Sequence, residues 1–179
     1  MVIDMTGDNL DRFGRRFTDE PSVSPYTIRD APLGTSRHVR IVGIGAGASG
    51  INLVRTLRLN LVDYEVVIYE RNADVGGTWF EQQYPGCRCD VPSHSYQFSW
   101  RPKHDWSNFF SPADEIRSYL RQTYEDERME DSIKTLHQVT SARWDEDSAT
   151  WQLVVQNLQT GQAFEDHADF LINGTGILK

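Results

Sequence analysis

An α/β fold is predicted by three features of the sequence: a short apolar strand entering a glycine-rich turn, a helical pattern directly after it, and a second apolar strand ending in an acid. The first strand carries Val39, Ile41, Val42 and Ile44, and the turn is Gly45-x-Gly47-x-x-Gly50. Gly45 permits the tight exit from the strand, and Gly47 puts no side chain between the backbone and a pyrophosphate. Gly50 lets the new helix pack closely, and the helix start at Ala48 and Ser49 offers N–H groups to an anion. The second strand, Glu65 to Tyr69, ends in Glu70. A carboxylate about twenty residues beyond the last glycine is placed to meet the ribose hydroxyls of an adenine dinucleotide.

The remaining elements follow in order. Residues 1–37 contain Pro21, Pro25 and Pro32 with little periodicity, and read as an N-terminal extension. Within it, Asp11 to Thr18 has the pattern of a short amphipathic turn. The domain proper is expected over 38–179. Ile51, Val54, Leu57 and Leu61 recur at helical spacing, which predicts a helix over 48–60. Val66, Val67 and Ile68 form the continuous apolar run of a buried parallel strand.

Residues 71–110 show no clear period yet hold many of the aromatics, from Trp79 to Phe110. A loop of that length in a small domain points to function, or to an aromatic cluster closing the core. Ser111-Pro112 followed by Asp114 and Glu115 predicts a helix start with Ser111 as cap, and Ile116, Tyr119, Leu120 and Tyr124 on one face. The charged stretch Glu125 to Asp131 reads as a solvated helix end. Leu136–Trp144 and Thr150–Gln156 flank the acidic turn Asp145–Ser148 as a β-hairpin, and Gly161 leads to a third strand, giving a β-meander. Phe170 to Asn173 is the last strand and runs into Gly174-Thr175-Gly176.

With 18 basic and 26 acidic residues the net charge is −8, which argues against nucleic acid as a partner. The sequence has no run near the ~18 apolar residues of a membrane span. The N-terminus lacks the apolar stretch of a secretory signal, so a cytoplasmic protein is expected. Cys87 and Cys89 are too close in sequence for a comfortable disulfide, and two thiols do not complete a zinc site. The five histidines show no metal-ligand spacing, and Ser93-His94-Ser95 is not a catalytic arrangement merely by adjacency.

Gly76-Gly77-Thr78-Trp79 and Tyr84-Pro-Gly-Cys-Arg-Cys-Asp90-Val-Pro-Ser93 closely resemble the FAD domain of Baeyer–Villiger monooxygenases, which group with the flavin-containing monooxygenases. The resemblance runs from about Val39 to the terminal Gly-Thr-Gly. It implies a Rossmann-like FAD-binding domain of the glutathione-reductase type, truncated before the NADPH domain. It implies FAD and NADPH as cofactors, and oxygenation of a ketone or related small molecule through a peroxyflavin. By the same resemblance Thr78 and Trp79 lie along the flavin, with Asp90, Val91 and Tyr96 as further contacts, and Val139 meets the adenine end through its backbone. Arg88 and Cys89 fall where the family approaches NADP. Asp90 would be the residue nearest the chemistry, a buried carboxylate positioning an arginine of the NADPH domain. Phe80-Glu-Gln-Gln83 departs from the more aromatic and basic stretch common in the family.

The chain contains one GxGxxG, so a second nucleotide fingerprint and the oxygen-activating arginine are expected on polypeptide beyond it. A fragment, a truncated product and a subunit completed by a second polypeptide are all compatible with that. Two function classes stand: the FAD-binding part of a monooxygenase, or a non-catalytic nucleotide-binding module that needs a partner chain.

Overall fold

The computed structural model describes residues 30–177. The amphipathic turn expected within 11–18, and most of the N-terminal extension, lie outside the described residues. Residues 30–35 hold one tight turn, in which the N–H and hydroxyl of Thr35 both donate to the Pro32 carbonyl (3.1 and 2.7 Å). A separate unit begins at Ser36.

In that unit β1 (Val39–Ile44), α1 (Ala48–Asn60) and β2 (Tyr64–Tyr69) form the expected βαβ unit. The strands pair in parallel from Val39↔Tyr64 to Ile44↔Tyr69. The two-residue β3 (Ile133–Lys134) joins the outer side of β2, and β7 (Phe170–Asn173) joins the free side of β1. The order β3-β2-β1-β7 leaves β1 central. Its glycine turn therefore sits where the chain order changes side, the place at which open α/β sheets bind ligands.

The apolar run of β2 is explained by burial on both faces. Ile68 points to the helices, among Ile51, Val54, Val75 and Ile133, whereas Val67 and Tyr69 point the other way, against Val42, Leu153 and Val155. That second face is covered by an antiparallel meander of β4 (His137–Asp145), β5 (Thr150–Asn157) and β6 (Ala163–Ala168). The acidic hairpin turn is held by Asp145, which accepts from the Asp147 N–H (3.2 Å) and the Ser148 hydroxyl (2.7 Å).

A polar clamp fixes the meander to the parallel sheet. Arg40 donates from Nε and Nη2 to the two oxygens of Asp166 (3.0 and 2.9 Å), and the Tyr69 hydroxyl donates to Oδ2 of the same carboxylate (2.7 Å). Burial would raise the Asp166 pKa, but these donors hold it below the ordinary carboxylate value. Burial, together with the adjoining carboxylate, pushes the Tyr69 phenol well above its usual range.

Three local expectations are corrected. Residues 71–110 are not wholly irregular: α2 (Thr78–Glu81) and a 3-10 turn at Ser93–Ser95 interrupt them. Ser111 does not cap α3 (Ala113–Asp126), whose N-cap is Pro112 with no side-chain bond. The Ser111 and Ser93 hydroxyls instead lie 2.7 Å apart, and Ser93 Oγ also accepts the Ser111 N–H at 2.9 Å. Both serines are buried, and a loop packed into a core must satisfy its own polar groups. Finally, the charged stretch after α3 is not wholly solvated, because Met129 turns in and is fully buried beside Ile133.

The helix face of α3 forms as its spacing predicts, with Ile116, Tyr119 and Leu120 buried and Tyr124 partly so. Part of the aromatic loop closes over it. Tyr119 donates to the Arg101 carbonyl (2.8 Å) and accepts the Phe98 N–H (2.9 Å), while Phe98 stacks on Trp100 at 4.8 Å.

Candidate functional site

The site starts with close backbone packing at the end of β1. A Cβ on Gly50 would stand 2.2 Å from the Gly45 carbonyl oxygen, so no larger residue permits α1 to begin so near the strand. The first turn of α1 has no side-chain cap and no acidic residue, which leaves its N–H groups and positive dipole end for a ligand.

Glu70 organises the turn from the end of β2. It is 4% exposed. Its Oε2 accepts the Ala46 N–H at 2.7 Å, inside the glycine turn, and its Oε1 accepts the Asn72 N–H at 2.8 Å. A carboxylate has about four acceptor positions, so two remain for hydroxyl donors of a ligand.

The second glycine pair is tied directly to the first. Gly76 donates to the Ala46 carbonyl at 3.0 Å, which brings Gly77 against Gly47. A Cβ on Gly77 would lie 3.0 Å from the Gly47 Cα, and Gly77 has φ +55°. Two bare backbones thus face each other at the mouth of a cleft of about 430 Å³.

That cleft brings together Gly45, Gly47, Ala48 and Ser49 with Glu70, then Gly77, Thr78 and Trp79, and finally Tyr96 and Val139. Trp79 Nε1 donates to the Tyr96 hydroxyl (2.9 Å), which fixes both rings against each other. Val139 lies where the β4–β5 register shifts. A bulge there re-aims the strand locally. Gly50 stays behind the turn as a packing residue.

The remaining candidates lie elsewhere. In the extended Cys87-Arg88-Cys89-Asp90 segment, side chains alternate: both thiols are buried and form no disulfide, while Arg88 and Asp90 are exposed. Among the described residues neither Arg88 nor Asp90 has a hydrogen bond or ion pair. Asp90 is thus not buried as expected. Val91 is exposed as well. Arg88 borders a second cavity, of about 630 Å³, on the far side of Trp79. No group of metal-ligating side chains occurs among the described residues, and none of their helices is long and apolar enough to cross a membrane.

Further residues line the cleft. Arg71 and Asn72 are both held by Oε1 of Glu81 (2.6 and 2.9 Å), and Tyr69 and His137 form an aromatic wall 6.0 Å apart. The Glu81 position was visible only as a departure from the family pattern. Its value depends on α2 turning it back toward β2, which no local signal announces.

Known proteins share this fold and parts of this sequence. Residues 44–113 match the model of an NAD(P)-binding Rossmann-like domain. The FAD-binding monooxygenase tazF of Aspergillus terreus is 42% identical over 80% of this chain and 26% of its own length. A Baeyer–Villiger monooxygenase of Pseudomonas aeruginosa is 37% identical over 66% of this chain and 22% of its own. The chain is a homologue of part of these two monooxygenases, the one named FAD-binding and the other Baeyer–Villiger. Solved structures of that group superpose well. An oxidised steroid monooxygenase bound to NADP gives a TM-score of 0.68 at 29% identity, covering 78% of this chain and 26% of that one. An open cyclohexanone monooxygenase gives 0.67 at 29%, covering 80% and 28%. The chain spans about a quarter of the length of these monooxygenases.

Proposed function

We propose that this chain binds FAD in preference to FMN, NAD or NADP, and serves as the flavin-binding part of an NADPH-dependent monooxygenase that oxygenates a ketone or a related small molecule. The observation that carries the reading is the pair of facing glycines, Gly47 and Gly77, beside the buried Glu70. A simple dinucleotide fold needs the first glycine turn alone. The second pair lets backbone approach a ligand that continues past the pyrophosphate, toward Trp79 and Tyr96.

In this reading the spare acceptor positions of Glu70 take the adenosine ribose hydroxyls, which in FAD carry no 2′-phosphate. The N-terminus of α1, at Ala48 and Ser49, faces the pyrophosphate, and the Val139 backbone meets adenine. Thr78, Trp79 and Tyr96 border the ring system. Bound there, FAD supplies two-electron redox chemistry and activation of oxygen. The residues of this chain bind it, orient it and shield one side from water. Cys89 belongs to the buried loop floor. Arg88 and Asp90, on the exposed face of the same segment, are available to a nicotinamide nucleotide and to an arginine from further polypeptide. The exposed Tyr84, Val91, Phe109 and Phe110 beside them favour such a covering segment, in the same chain or in a partner.

Equilibrium dialysis of the purified chain against FAD, FMN, NAD and NADP tests the first part. Selective retention of FAD is expected, and equal or better retention of NAD would overturn it. Adding FAD, NADPH and a panel of ketones to the chain alone should give no oxygenated product, with activity dependent on further polypeptide.

A further inference from the structure

We infer that Arg117, on α3, is a positioning residue of the nucleotide cleft: it forms the outer wall of the Gly76–Gly77 turn and acts through that turn without touching the ligand. The inference rests on the flavin reading above. Three contacts carry it. A Cβ placed on Gly76 would meet the Arg117 Cγ at 3.6 Å and the Phe80 Cβ at 3.5 Å, so the arginine stem lies directly against the turn. The guanidinium carbon sits 4.6 Å from the centre of the Phe80 ring, just after the turn. Its Nη2 is 3.3 Å from Oδ2 of Asp74, just before it. One side chain therefore grips both ends of the turn and covers its middle.

The need for such a wall follows from the turn itself. Gly76 and Gly77 have φ of +124° and +55°, and two consecutive glycines have the widest conformational freedom a chain can have. On the inner side Gly77 meets the bare Gly47 backbone; Gly76 donates to Ala46, and the Gly76 and Gly77 carbonyls accept the N–H groups of Trp79, Phe80 and Glu81 in α2, so backbone bonds tie the turn to the glycine turn and to α2 while its outer side has no such bond. That outer side is closed by the side chains of Arg117 and Phe80. A turn that swings away opens the cleft where the two backbones must approach the ligand together.

Arg121 provides an internal control. It pairs with the same Asp74 oxygen and with Glu125, but Arg117 and Phe80 are the neighbours of Gly76. Removing Arg117 leaves Asp74 neutralised by Arg121, so the turn loses its wall while the fold keeps its ion pair.

The test measures FAD binding by dialysis, the visible circular dichroism of bound FAD, and the melting temperature without FAD. Arg117→Ala should weaken FAD binding about five- to tenfold, the scale of a lost cation–π contact plus packing, and alter the dichroism. Arg117→Lys, which keeps stem and charge but not the planar stack, should fall between. Arg121→Ala should stay within about twofold of wild type, with a melting shift matching that of Arg117→Ala. Wild-type affinity in Arg117→Ala, or equal weakening in Arg121→Ala, would overturn the inference. Should Arg117→Ala not fold, Arg117→Lys decides: wild-type affinity and dichroism refute it, and a weaker, altered complex supports it. Failure of the wild-type chain to bind FAD is a separate result that removes the flavin reading first.

Discussion

Glu70 and Asp90 are both carboxylates singled out by motif, yet the fold treats them in opposite ways. Glu70 is buried and already accepts two backbone N–H groups, one from the glycine turn and one from the segment after β2. Asp90 stands on the exposed side of an extended segment, with no partner among the described residues. The first is part of the architecture before any ligand arrives. The second is free to act on something outside these residues. A buried charge persists only where donors surround it, so its place is inseparable from folding, whereas an exposed charge costs the fold nothing.

That contrast can be broken or sharpened by substitution. The largest effect is expected on the Glu70 side, at the backbone approach it supports. Gly77→Val adds a branched side chain at φ +55° and 3.0 Å from the Gly47 Cα. It should lower FAD affinity by on the order of a hundredfold or more in dialysis, and retained affinity would show that the glycine pair is not the ligand cradle.

Glu70→Gln should be costly although it is nearly isosteric. One amide NH₂ must then face a backbone N–H, leaving a buried donor opposed, so about 1–3 kcal/mol of stability should be lost in urea unfolding. FAD binding should weaken alongside it. An unchanged unfolding midpoint would mean that Glu70 serves the ligand alone.

The Arg40–Asp166–Tyr69 clamp offers a pH test of a second committed carboxylate. Asp166 is depressed in the folded chain, so its contribution is present above the unfolded value of about 3.9 and disappears as pH falls through the folded value. Asp166→Asn should therefore cost about 2–3 kcal/mol near neutrality, and the gap to wild type should close as melts are taken below about pH 4. A gap independent of pH would assign the loss to packing.

Asp90→Asn should do least to the fold, within about 0.5 kcal/mol by thermal melting. Under the proposed function, the same change in a full-length monooxygenase carrying this segment should lower oxygenated product per NADPH consumed. A substantially destabilised variant would make Asp90 a structural residue after all.

The sequence by itself determined the βαβ core, because glycine spacing, apolar runs and a helical period are local properties of the chain. Gly45 to Gly50, α1 and β2 follow directly from them, as do the hairpin and its acidic turn. The tertiary structure alone decided which polar groups are used up. Ser111 looks like a helix cap until Ser93, eighteen residues earlier in the chain, claims its hydroxyl. Glu81 looks like a departure from a pattern until α2 turns it onto Arg71 and Asn72. Arg117 reads as one charged residue on a helix surface until the Gly76 turn is found resting on its stem. Each of these depends on a partner distant in sequence, and hydrogen bonding or close packing between such partners leaves no periodic trace for a linear reading to find.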